Sequence, residues 1–255
     1  MAVVLEVVDL EKTYTDVRAV SGVTFSVAPG EILGLVGPNG AGKTTTLRCL
    51  GGILRPTRGT IRIGGHDLVA APVAAKKLLA FLPDEPRLFD YLTVREHLNL
   101  VARLYGVRDW EARAGALLAE LELADKATVL PGELSRGMKQ KLTIACGFLH
   151  DPRLVLLDEP LTGLDPLGIR KMKASLRARA EAGTAIVLSS HLLPLVEELC
   201  HRVLVIVRGR AVALGTLAEI RTHLGGPGGT PAEGAGSAES LEDLFIRITA
   251  GGGEP

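Results

Sequence analysis

The stretch Gly37-Pro38-Asn39-Gly40-Ala41-Gly42-Lys43-Thr44-Thr45 constrains this chain more than any other, because of what stands on either side of it. An apolar run, Ile32-Leu33-Gly34-Leu35-Val36, precedes it, and a helical pattern from Thr45 to Leu54 follows. Strand, glycine-rich loop and helix in that order fit the phosphate-loop template G-x-x-x-x-G-K-[ST]. Gly37, Gly40 and Gly42 let the backbone curl until its N–H groups converge on an anion. The start of the following helix adds partial positive charge. Lys43 brings a full charge to the outer phosphates of a nucleoside triphosphate, and Thr44 offers a hydroxyl to Mg²⁺.

A second apolar run, Leu154-Val155-Leu156-Leu157, ends in two acids, Asp158 and Glu159. Ligands of open α/β sheets bind at the carboxyl ends of strands, so acids there face the crevice. Asp158 suits a place beside Mg²⁺, through water or through Thr44. Glu159 suits the orienting of an attacking water. Standing alone, both acids could as well cap the turn at Pro160; a phosphate loop in the same chain favours the site. Further back, Ser135 is a good N-cap for a helix that lines Leu134, Met138, Leu142, Cys146 and Leu149 along one face. The helix start around Ser135 and Gly137 offers bare N–H groups and a hydroxyl, which suit an anion.

The rest of the chain frames these motifs. Residues 3–10 and 23–27 alternate apolar with polar, as does Ile61-Arg62-Ile63 before the turn Gly64-Gly65, and a small antiparallel sheet near the N-terminus is expected. The continuous apolar runs 32–36, 154–157, 185–189 and 203–207 fit a parallel sheet covered on both faces, hence an α/β core. Between about 90 and 150 the pattern is all-helical. Thr93-Val94-Arg95-Glu96 forms a capping box ahead of Leu98, Val101, Leu104 and Tyr105, a second helix runs from about Trp110 to Leu121, and a third starts near Ser135. This stretch is expected as a helical subdomain inserted in the sheet. Residues 225–239, rich in glycine and proline, read as a flexible linker, 240–248 as a short amphipathic helix, and 251–255 as a frayed tail.

Composition narrows the function. Lys+Arg and Asp+Glu are both 29 in 255 residues, so no basic excess points to a nucleic-acid partner. Cys49, Cys146 and Cys200 have no metal-ligand spacing and leave one unpaired in any intrachain scheme, which fits small core residues of a reduced, cytosolic protein. Met1 to Leu10 contains Glu6 and Asp9 and is unlike a secretory signal. No apolar run reaches the length that spans a bilayer. A soluble chain is expected, one that needs another subunit to do any spanning.

Taken in order, these elements resemble the ATP-binding subunits of ATP-binding-cassette (ABC) transporters over about residues 1–220. Tyr14 matches the aromatic residue that stacks on adenine, and Gly37 to Thr45 match the phosphate loop. Leu134 to Gln140 match the signature Leu-Ser-Gly-Gly-Gln, and Leu154 to Glu159 match the strand with its Mg²⁺ acid and catalytic glutamate. Thr162-Gly163-Leu164-Asp165 match the loop that crosses the dimer contact, and Ser189-Ser190-His191 match the switch histidine. The resemblance implies a P-loop NTPase core with a parallel sheet, an N-terminal antiparallel β subdomain and an inserted α-helical subdomain, the whole spanning 1–224. It implies ATP and Mg²⁺ as ligands, with the nucleotide held by Tyr14, Gly37, Pro38, Asn39, Gly40, Ala41, Gly42, Lys43, Thr44 and Thr45. Lys43, Glu159 and His191 carry the catalysis, and two subunits close head to tail over ATP with Ser135 and Gly137 supplied across the interface. Partners are an integral membrane permease subunit and a second ABC ATPase, as homodimer or heterodimer. The location is cytoplasmic, on the inner face of the cell membrane.

Two departures from the family pattern bear on function. Asp84 stands where a glutamine usually touches Mg²⁺ and the attacking water; it is a Mg²⁺ ligand candidate or a turn residue flanked by Pro83 and, two residues on, Pro86. Arg136 and Met138 replace a glycine and the final glutamine of the signature. Those replacements, and the Leu-Glu-Asp-Leu-Phe ending at 241–245, resemble subunits of drug, lipid, antibiotic or polysaccharide exporters, so export is the expected direction. Phe89 and Tyr91 suit contact with the membrane partner or core packing. The alternative is a soluble ABC ATPase that acts as a switch in translation or DNA repair; the paired cassettes, coiled-coil inserts and basic linkers usual there are not seen in this chain. Intact Lys43, Asp158, Glu159 and His191 argue against a module that binds ATP without hydrolysing it.

Overall fold

Alternating residues build the first sheet. In a computed structural model describing residues 3–161 and 163–224, β1 (Leu5–Tyr14) and β2 (Val17–Val27) form an antiparallel hairpin. β1 also pairs antiparallel with β4 (Arg58–Ile63), which turns into the short β5 (His66–Asp67). The order is β2-β1-β4-β5. β2 begins six residues ahead of the 23–27 expected from alternation, because the turn between the strands is as tight as Thr15 and Asp16. β1 keeps its pairing past Val7 through register shifts, with Asp9 at φ 48°.

The apolar runs form a second sheet of six strands. β3 (Ile32–Val36), β6 (Leu79–Leu82), β7 (Leu154–Asp158), β8 (Ala185–Ser189) and β9 (Arg202–Val207) run parallel, and β10 (Arg210–Gly215) closes one edge antiparallel to β9. The order is β10-β9-β3-β8-β7-β6. β6 was not expected as a strand. Leu-Ala-Phe-Leu is too short for periodicity to separate strand from loop, and only its pairing with β7 fixes it.

Strand geometry divides the core in two. Val155 and Leu157 of β7, with Ile186 and Leu188 of β8, face one apolar cluster; Leu154 and Leu156, with Ala185 and Val187, face the other. The second cluster is roofed by the antiparallel sheet through Leu5, Val7, Val23 and Val27. The first is covered by helices, among them α6 (Pro166–Glu181) and α7 (Leu193–Leu199).

Helix α1 (Lys43–Leu50) follows the glycine loop, starting two residues earlier and ending four earlier than the sequence pattern suggested. Gly42 serves as its N-cap at φ 104°, and Gly51 and Gly52, the latter at φ 63°, stop it. After α2 (Pro72–Lys77) come α3 (Val94–Tyr105), α4 (Trp110–Glu120) and α5 (Arg136–Phe148). The capping box at Thr93 and Glu96 is formed in both directions. Leu98, Leu117, Leu118, Leu142 and Leu149 of the helical segment share one apolar cluster with β7 and β8, so it is fastened to the sheet by packing. α8 (Leu217–Leu224) ends the described chain. The expected linker, 225–239, and the expected C-terminal helix, 240–248, lie outside the described residues, as does Thr162.

Leu156, fully buried on a strand with neighbours on both sides, tests this core. Leu156→Ala should lower unfolding free energy by about 2–5 kcal/mol, measured by urea denaturation of the purified chain.

Candidate functional site

The glycine loop is wedged between strands. A Cβ on Gly37 would lie 2.2 Å from the Ile206 carbonyl oxygen, and one on Gly42 would lie 2.3 Å from that of Ala19. No side chain fits at either place. The Gly209 N–H donates to the Ala41 carbonyl, 2.9 Å, tying the loop to the turn between β9 and β10. Lys43, at the head of α1, is only 8% exposed, and its ammonium donates to the carbonyls of Gly37 at 2.7 Å and Pro38 at 3.2 Å. Burial pushes its pKa below the ordinary lysine value, and the carboxylates of Glu159 and Asp158 oppose that push.

β3, β8 and β7 are neighbours, and their carboxyl ends meet at one carboxylate. Asp158 is 5% exposed; its Oδ1 accepts from Thr44 Oγ1 at 3.2 Å and from Ser189 Oγ at 2.7 Å. The backbone N–H of Glu159 donates to both the hydroxyl and the carbonyl oxygen of Ser189, each at 3.2 Å. Glu159 itself sits at φ 48°, a left-handed backbone that a residue with a side chain seldom adopts. Its carboxylate reaches His191, with Oε2 2.9 Å from Nδ1 and 3.4 Å from the backbone N–H. In that geometry Nδ1–H donates, and the rest of the imidazole stands in solvent.

Thr44, Asp158 and Glu159 line a cleft of about 680 Å³ together with Arg48, Phe81 and Asp84. Asp84 Oδ1 is buried there with no hydrogen-bond partner, a costly arrangement unless a ligand or cation supplies one. Thr44, Asp158 and Asp84 together offer hard oxygen donors. Among the described residues no three His, Cys, Asp or Glu side chains gather to hold a metal by themselves. That pattern fits Mg²⁺, which takes one or two protein carboxylates and fills its remaining positions with phosphate and water.

The structure therefore brings Lys43, Thr44, Asp158, Glu159 and His191 together, with Asp84 in the same cleft. Pro38 is half-buried, Asn39 and Gly40 are exposed, and Gly40 sits at φ 77°. Thr45 is half-buried in the first turn of α1. Tyr14 stands at the end of β1, 41% exposed, with the Lys12 ammonium 5.2 Å from its ring centre. Ser135 and Gly137 are not part of the cleft lining. Ser135 caps α5, accepting from the Met138 N–H at 3.2 Å, and Gly137 abuts the Gly163 carbonyl so closely that a Cβ would lie 3.0 Å from it. The loop at Gly163 also carries the stem of Arg136.

Ser189, hydrogen-bonded to both Asp158 and Glu159, had no role of its own in the sequence motifs. The available signal was a hydroxyl ending the otherwise apolar run 185–188, since a buried polar group must be paired.

Comparison with known proteins places the chain in a family. The sequence profile described as ABC transporter matches residues 20–162. The chain is 34% identical over 247 residues to the ABC-type transporter ATP-binding protein EcsA of Bacillus subtilis (strain 168), covering 96% of each. It is 43% identical over 208 residues to the Nod factor export ATP-binding protein I of Burkholderia pseudomallei (strain 1710b), covering 81% of this chain and 68% of that one. Among solved structures, one described as the ATP binding subunit of an ABC transporter superposes with a TM-score of 0.88 at 38% identity, over 96% of this chain and 99% of that one.

Proposed function

Because the chain belongs to the ABC transporter family, and is an ATPase of the kind that drives transport, we propose that it powers export through a separate membrane-spanning subunit, working as an ATP-bridged dimer. The observation that carries this reading is the hydrogen-bonded chain Thr44–Asp158–Ser189–Glu159–His191, which assembles the phosphate loop, the acid pair and the switch histidine at the ends of three adjacent strands.

Each residue has work that follows from its surroundings. Lys43 is anchored by loop carbonyls 2.7 and 3.2 Å away, and exchanges them for the outer phosphates of ATP. The N–H groups of Gly40, Ala41, Gly42, Thr44 and Thr45 join it as the loop closes round the anion. Tyr14 offers an exposed face on which adenine stacks. Thr44, Asp158 and Asp84 would hold Mg²⁺, which would supply positive charge to offset that developing on the phosphate oxygens. Glu159 orients the attacking water and takes its proton, aimed by its left-handed backbone and by its N–H bonds to Ser189. His191 is kept in register by Glu159, and its exposed ring edge contacts the terminal phosphate.

Ser135 and Gly137 supply the other half. They head α5 against the Gly163 loop, and in the proposed dimer they meet the phosphate held by Lys43 of a second copy or a related subunit. Closure over ATP and release after hydrolysis then follow as one cycle. No helix among the described residues is long and apolar enough to cross a membrane, so work at a membrane falls to the partner. Phe89 and Tyr91 favour the partner-contact reading, being 61% and 92% exposed. Their loop is pinned by buried His97, whose Nε2 accepts from the Phe89 N–H while Nδ1–H donates to the Thr93 carbonyl. Export is supported by the relative named for Nod factor export and by Arg136 and Met138 in the altered signature.

Two measurements test this reading. Glu159→Gln should bind ATP, lose about 10²–10⁴-fold in turnover, and elute as a dimer in size-exclusion chromatography with ATP and Mg²⁺; a monomer would contradict the sandwich. Asp84→Asn should raise the Mg²⁺ concentration needed for half-maximal phosphate release, and an unchanged titration would remove Asp84 from the metal site.

A further inference from the structure

Lys12 is a cation that the ATPase reading leaves without a part. It lies on β1 two residues before Tyr14, and its ammonium stands over the Tyr14 ring, 5.2 Å from the ring centre. The electron-rich face of the phenol attracts a cation placed there. The same ammonium donates to the Arg55 carbonyl at 2.9 Å. Arg55 belongs to the segment that leaves α1: the N–H groups of Ile53 and Leu54 both donate to the Arg48 carbonyl in the last turn of that helix. The segment grips β1 twice more. The Thr57 N–H donates to the Glu11 carbonyl at 2.8 Å, and the Thr13 N–H donates to Thr57 Oγ1 at 3.0 Å. The pairing of β1 with β4 ends at Glu11, and beyond it these contacts hold the strand. Burial pushes the Cys49 thiol on α1 up to about 11, and the charge of Lys12 opposes that push, as an ammonium close to the helix would.

We propose that Lys12 is a positioning residue for the nucleotide base: seated on one face of Tyr14 and tied to the Arg55 carbonyl, it fixes the ring beside the phosphate loop with its other face open to the base. The proposal rests on the reading that Tyr14 stacks on adenine. The ring stands at the tip of the β1–β2 hairpin, where Tyr14 pairs with Val17. Lys12 pairs with Val20, and the carbonyl of the adjacent Ala19 is the one that crowds Gly42 of the phosphate loop. The hairpin that carries the ring is therefore fastened to α1 at both ends, through Ala19 at the head of the helix and through Arg55 beyond its tail. An exposed aromatic side chain loses rotational freedom when a base stacks on it, and that ordering opposes binding. A cation already seated on one face has restricted the ring beforehand, while Tyr14 stays 41% exposed.

The test is isothermal titration of the full chain with ADP and with inorganic pyrophosphate, each with Mg²⁺. Neither probe calls on hydrolysis, and pyrophosphate carries no base. Lys12→Met should weaken ADP binding about two- to fivefold and leave pyrophosphate binding unchanged. Lys12→Arg, which keeps a cation and donors, should bind ADP like the parent. In a Tyr14→Ala background, Lys12→Met should have no further effect on ADP. Three results would overturn the proposal. Unchanged ADP binding in Lys12→Met, with weaker binding in Tyr14→Ala, would show that the ring needs no cation. Tighter ADP binding in Lys12→Met would show that the ammonium obstructs the base. Equal weakening of ADP and pyrophosphate would place Lys12 on the phosphates. If Tyr14→Ala itself leaves ADP binding unchanged, the stacking reading fails and the proposal with it, so the two failures are told apart by that single variant.

Discussion

One carboxylate oxygen joins the parts of this site. Asp158 Oδ1 accepts from Thr44, at the head of the helix after β3, and from Ser189, the last residue of β8. A carboxylate so buried is unstable without partners, and these two hydroxyls are what the folded chain offers it. Register sets up the meeting: Asp158 lies opposite Ser189, and Ser189 lies opposite Leu35 on the next strand, β3. The site is thus a product of sheet order, at the carboxyl ends of β3, β8 and β7, where an α/β sheet leaves its crevice. Ser189 extends the connection to the Glu159 backbone, and Glu159 extends it to His191.

The loop at Gly163 links this centre to the helical segment. It touches Arg136 and Gly137 at the head of α5, and α6 starts directly after it, capped by Asp165. α6 then pairs with both neighbours. Lys171 meets Glu122 and Arg179 meets Glu120 on the helical segment, while Lys173 and Arg177 meet Glu198 on α7. Exposed pairs contribute little stability one by one. Their arrangement places α6 between the helical segment and α7, with the Gly163 loop just ahead of it against the head of α5.

Much of this was legible in the sequence, for stated physical reasons. The apolar runs at 32–36, 154–157, 185–189 and 203–207 are strands because a fully covered strand needs no polar face. The phosphate loop announced itself through Gly37 and Gly42, whose positions admit no Cβ. The capping box at Thr93 and Glu96 and the cap at Ser135 are local chemistry and formed as written. What was not legible depends on partners distant in sequence. β6 is a strand only because β7 pairs with it, and β10 takes its place through β9. Ser189 gained its part from Asp158, 31 residues away, and the unsatisfied oxygen of Asp84 is visible only once burial is known.

Ser189 links the Asp158 carboxylate to the Glu159 backbone, and Ser189→Ala isolates that link. A lost hydrogen bond to a charged group is worth about 1.5–3 kcal/mol, or about 10–150-fold in rate. ATP turnover and ATP affinity, measured side by side on the purified variant, should show turnover lowered by at least about tenfold with affinity within about threefold of the parent, since Lys43 and the glycine loop are untouched. Parental turnover in Ser189→Ala would contradict the claim.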